Sequence, residues 1–89
     1  MSDDTIKAFG QVLQQTRKQL GMSQAGLALA SGLDRAFISK LELGKKQPSL
    51  LTVFQLATAL GLAPSGLLRR VERFMKLAKA SKQPAACPM

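Results

Sequence analysis

The sequence has no histidine, no tryptophan and no tyrosine, and it uses cysteine once in 89 residues. A single thiol, Cys87, cannot form an internal disulfide, so a secreted scaffold held by cross-links is excluded and Cys87 reads as a free tail thiol. Without histidine there is no zinc cluster and no Ser-His-Asp or Cys-His arrangement for nucleophilic catalysis. The seven glycines are spread singly, so no Gly-rich phosphate loop forms. Neither a metal, a cofactor nor a catalytic activity is expected. Every apolar stretch falls short of the roughly 18 residues that a membrane-spanning helix needs. Asp3 and Asp4 stand where a signal peptide would carry basic residues. A cytoplasmic protein with no membrane partner is the expectation.

What is present is apolar bulk and positive charge. Hydrophobic residues make up 46% of the chain, enough for a core built from Leu, Ala, Ile, Val, Met and four Phe. At this length one domain forms, with little room for a second sensing or catalytic one. Thirteen Lys and Arg against five acids give a formal charge of +8. Such an excess attracts polyanions, nucleic acid foremost, although a basic tail alone would also produce it.

Spacing and punctuation divide the chain into five helices with no β-type alternation. Ile6, Phe9, Leu13, Thr16 and Leu20 recur at steps of three and four, which is one face of a helix from about Thr5 to Leu20. Asp4 or Thr5 can cap its start. Ser23 caps a second helix carrying Leu27 and Ala28 inward, and Asp34 caps a third with Phe37, Ile38 and Leu41 inward. Pro48 and Ser49 open a fourth, with Leu50, Val53, Leu56, Ala57 and Leu60 as its apolar face. Pro64 opens a fifth, bearing Leu67, Leu68, Val71, Phe74, Met75 and Ala78. Gly21, Gly32, Gly44 and Gly61 each fall where a helix should finish. The expected organisation is a folded domain over residues 5–70, a basic amphipathic continuation of the fifth helix over 71–82, and a flexible tail over 83–89.

Residues Gln24 to Leu43 have the spacing of a DNA-binding helix-turn-helix. The first of its two helices needs a small residue at the crossing, supplied by Ala28, and the turn needs a residue tolerant of positive φ, supplied by Gly32. Ile38 and Leu41 anchor the second helix from beneath, so Arg35, Ala36, Ser39 and Lys40 point outward from it. These are the turns that meet base edges when such a helix lies in the major groove. Arg35 suits guanine O6 and N7, Lys40 a base or a phosphate, Ala36 a thymine methyl, and Ser39 a base or backbone oxygen. Lys45 and Lys46 follow in the loop, placed to hold phosphates. Gln24 stands beside the free amides that open the second helix, another phosphate site. Singly, Arg35 and Lys40 read first as a solvated helix face, Lys45 and Lys46 equally well as ordinary loop charges, and Gln24 also as a cap of the second helix. Their coincidence on one helix face, free of acid except Asp34 and Glu42, is what favours DNA.

The string Phe9-Gly10, Leu13, Arg17, Gly21, Ser23-Gln24, Leu27-Ala28, Gly32, Ile38-Ser39, Glu42, Gly44, Pro48-Ser49, Thr52, Leu56-Ala57, Leu60-Gly61 resembles the lambda-repressor-like, or XRE, helix-turn-helix family. The resemblance covers about two thirds of the chain. It implies an all-α five-helix domain of prokaryotic or phage origin that regulates transcription, binding double-stranded DNA as a homodimer on a palindromic operator. It implies phosphate contact by Gln24, base reading by Arg35, Ala36, Ser39 and Lys40, and a structural ion pair between Arg17 and Glu42. This chain departs from the family at Gly26, where an acidic residue would reciprocate the cap of Ser23. Gly within a helix costs about 1 kcal/mol relative to Ala. Ala63 stands where a capping serine is common.

The basic C-terminal extension leaves several readings open. Arg69, Arg70, Arg73, Lys76, Lys79 and Lys82 oppose Leu67, Val71, Phe74, Met75 and Ala78. Such a helix packs on the core, forms a dimer interface through Leu67, Val71, Phe74 and Met75, adds phosphate contacts, or engages a membrane or a partner protein. Leu33-Asp34-Arg35-Ala36-Phe37-Ile38-Ser39 is similar to the controller proteins of restriction-modification systems. The alternative is an antitoxin that holds a toxin through the C-terminal segment and regulates its own operon.

Overall fold

The computed structural model describes residues 3–80. It contains five helices: α1 (Asp3–Gln19), α2 (Gln24–Ser31), α3 (Arg35–Glu42), α4 (Leu50–Ala59) and α5 (Pro64–Ala80), and the described residues include no strand. Residues 83–89, including Cys87, and Lys82 lie outside the described residues.

The helix ends follow from local chemistry. Ser23 accepts the Gly26 N–H at 2.9 Å, Asp34 accepts that of Ala36 at 3.1 Å, and Ser49 accepts that of Thr52 at 3.1 Å. Each cap satisfies an amide that the helix leaves unpaired, worth about 1 kcal/mol. Gly21, Gly32, Gly44 and Gly61 all take the left-handed conformation, with φ between 71° and 76°. At Gly32 this turn matters most. It lets the N–H groups of Gly32 and Leu33 return to the Ala28 carbonyl at 2.9 and 3.2 Å, fixing the angle between α2 and α3.

The helices close a ring of contacts. α1 packs on α3 and α5, α2 on α3 and α4, and α4 on α5. Leu13, Leu27, Ile38, Leu41, Leu56 and Leu67 are fully buried at its centre, so every helix contributes at least one side chain. Each such leucine or isoleucine stabilises the fold by roughly 1.5–3 kcal/mol. Gly10 permits the closest approach. A Cβ there would collide with the Leu41 carbonyl oxygen and lie 2.9 Å from that of Glu42. α1 therefore seats its backbone directly on the last turn of α3.

Several expectations change. α1 begins at Asp3 rather than Thr5, and Leu20, expected on its buried face, is 53% exposed in the turn beyond its end. Leu50 is 71% exposed, because the buried stripe of α4 runs through Thr52, Val53, Leu56 and Ala57 and none of the described residues covers its first residue. Leu68 is also exposed, on the outer side of α5. Leu67 and Val71 are interior residues of this chain's own core, so they offer no surface to a partner; Phe74 and Met75 are half-buried against the same core. α5 runs unbroken through residue 70, and core packing continues beyond that point.

Candidate nucleic-acid interface

α3 is held at both ends and along its inner face. Ile38 and Leu41 are fully buried, and Asp34 caps the start. At the far end Glu42, 6% exposed, receives three hydrogen bonds. Arg17 Nε donates to its Oε2 at 2.6 Å, Arg17 Nη2 to its Oε1 at 3.0 Å, and Gln24 Nε2 to the same Oε1 at 3.0 Å. Arg17 Nη1 also donates to the Met22 carbonyl at 2.8 Å. One buried carboxylate thus joins α1, the start of α2 and the end of α3. The hydrogen bonds from Arg17 to Glu42 raise the guanidinium pKa further above its ordinary value, against an opposing effect of burial, so Arg17 stays cationic.

The outward face of α3 presents Arg35, Ala36 and Lys40 exposed and Ser39 half-buried. Lys45 and Lys46 are exposed in the loop that follows. Glu42, one of two acids close to this face in sequence, is withdrawn from it and paired with Arg17. The remaining acid, Asp34, lies at the cap, where it complements the helix dipole. The surface that emerges is cationic, with the 62% exposed Leu43 at the end of α3 as its large apolar side chain, and its charge suits a phosphate-lined groove.

Gln24 does more than the sequence suggested. Its amide nitrogen must face Glu42, because a carboxylate only accepts, and one of its two protons is used there. The second is left for an external acceptor, beside backbone amides at the start of α2. The carboxylate orients Gln24 as well as pairing with Arg17.

Lys7 was missed. A Cβ at Gly44 would come within 2.9 Å of the Lys7 side chain, so this exposed lysine of α1 lies against the turn that leads to Lys45 and Lys46. The sequence held one signal for it: Lys7 precedes Gly10 by three residues, on the face of α1 that meets α3. Arg69, Arg70, Arg73 and Lys76 are exposed on α5, away from this surface.

A closed five-helix ring that presents one capped, cationic helix defines a helix-turn-helix DNA-binding module. Residues 13–67 match the helix-turn-helix family. The chain belongs to this XRE-type family of DNA-binding transcriptional regulators. It is 36% identical over 69 residues to control protein C.BamHI of Bacillus amyloliquefaciens, covering 76% of this chain and 85% of that protein. The restriction-modification controller protein C.AhdI from Aeromonas hydrophila superposes with a TM-score of 0.68 at 42% identity, over 70% of this chain and 94% of that one. The clp gene regulator ClgR from Corynebacterium glutamicum superposes with a TM-score of 0.81 at 28% identity, over 88% and 83%.

Proposed function

We propose that the chain is a cytoplasmic, sequence-specific regulator of the restriction-modification controller type, binding a palindromic duplex as a homodimer with α3 in the major groove. The observation that carries this reading is the exposed face of α3, cleared of acid by the burial of Glu42 against Arg17 and Gln24. Arg35, Ala36, Ser39 and Lys40 read base edges from it. Gln24, Lys45, Lys46 and Lys7 hold phosphates on either side. Similarity to C.AhdI and C.BamHI supports the controller subtype over an antitoxin.

With Leu67 and Val71 interior, the uncovered side of α4 suits the proposed dimer contact better. Leu50, Leu51 and Phe54 are 71%, 68% and 49% exposed along one side of that helix, with exposed Thr58 beyond them. This face carries no charge, so two copies of a chain at +8 meet there without like-charge repulsion. Contact with a partner protein through α5 is a second, separable activity.

The test is selection from random duplex DNA at near-physiological salt. An enriched inverted repeat, with half-site centres about one helical turn apart, is expected. Retention without enrichment would leave only the electrostatic attraction of the basic chain and overturn the reading.

A further inference from the structure

A second basic surface has different chemistry from the first. Between α1 and α5 lies a groove of about 190 Å³ whose apolar wall is formed by Val12, Phe74 and Leu77. Arg70 and Arg73 line the same groove, and Arg70 Nη1 reaches to 3.5 Å from both Thr16 Oγ1 and Gln19 Oε1, which directs its guanidinium across the opening. Leu77 is 67% exposed, a large apolar side chain with no cover among the described residues. Neither arginine has a carboxylate within 4.0 Å there, since Arg17–Glu42 is the sole ion pair of the described residues.

The groove opens away from α3. Gly10 and Arg17 mark the side of α1 that meets α3; Val12 and Gln19 lie two residues further on, about 200° around the helix. A straight duplex seated on the outer face of α3 therefore lies on the far side of the domain. Phosphates have no use for the apolar wall, so DNA is the poorer occupant on both counts.

We propose that this α1–α5 groove docks an acidic amphipathic helix of a partner protein, with an apolar side chain seated among Val12, Phe74 and Leu77 and flanking carboxylates paired to Arg70 and Arg73. Charge complementarity selects this occupant. The chain's own residues 81–89 contain a lysine and no acid. A second copy offers five acids in all, of which Glu42 is buried, and a two-fold contact would set arginine against arginine. An acidic helix supplies what the groove lacks, through paired carboxylate–guanidinium hydrogen bonds and an apolar anchor. Because the groove and α3 face opposite ways, partner and DNA are held together on one regulator. The inference stands whether or not the operator reading holds, since it uses no residue of α3.

The probe is a short labelled peptide helix with Leu at i and i+4 flanked by Glu, beside a scrambled peptide of the same composition. Both are titrated against the full chain, first free and then with duplex DNA added to saturation, with amide chemical shifts followed by NMR. Shifts confined to Val12, Gln19, Arg70, Arg73, Phe74 and Leu77, and affinity reduced roughly tenfold by scrambling, by Arg73→Glu or by Leu77→Glu, are expected. Circular dichroism of both variants checks that they fold, and both should bind the duplex as the parent does. Equal binding of the scrambled peptide overturns the proposal, as does displacement of the peptide by DNA. Concentration-dependent shifts at the groove without peptide would instead assign it to a second copy and also overturn the proposal.

Discussion

Arg17 and Glu42, twenty-five residues apart in the chain, meet in the interior through two hydrogen bonds of 2.6 and 3.0 Å, with side chains 9% and 1% exposed. The pair joins the folding of α1 to the placement of α3, and Gln24 shares its carboxylate.

Arg17→Met should destabilise the domain by about 3–5 kcal/mol, because it leaves the Glu42 carboxylate buried without its cation. The double variant Arg17→Met/Glu42→Leu should recover most of that loss, as apolar groups of similar size replace both charges. DNA affinity should not recover with it, since Gln24 then has no carboxylate to hold it. Urea denaturation and a DNA titration on the same samples separate the two effects.

Gly10→Ala runs against intrinsic helix propensity, which favours Ala by about 1 kcal/mol. Here the added methyl meets the carbonyls of Leu41 and Glu42, and overpacking of this kind costs roughly 1–3 kcal/mol or more. A lower denaturation midpoint is expected; a higher one would mean that α1 and α3 can separate freely.

Phe54→Glu places a charge on the uncovered side of α4, where no core contact is lost. Sedimentation should show a shift from dimer to monomer with unchanged helical content. An unchanged dimer would move the interface off α4.

Lys46→Ala should weaken binding to every duplex alike and reduce the slope of log affinity against log salt by about one unit at most. A loss restricted to one sequence would contradict a phosphate role.

The helix ends and the outward face of α3 were legible in the sequence because both are local. A capping serine or a left-handed glycine acts on its own turn, and Ile38 with Leu41 fixes the rotation of a helix only eight residues long. What escaped depends on which helix covers which. Leu50 has the right spacing for a core residue but no neighbour above it. Leu67 and Val71 have the pattern of an amphipathic surface helix, yet α1 and α4 close over that side of α5. The close contact at Gly10 and the bond from Gln24 to Glu42 join residues distant in sequence, and no periodicity reports them.

In the proposed complex the outward face of α3 reads bases while the lysines around it only hold the backbone. The most direct test repeats the duplex selection with Arg35→Ala beside the parent chain. Loss of preference at one symmetry-related position in each half-site, about 1–3 kcal/mol weaker specific binding and retained affinity for random duplex are expected. An identical enriched sequence from both proteins would contradict base reading by Arg35.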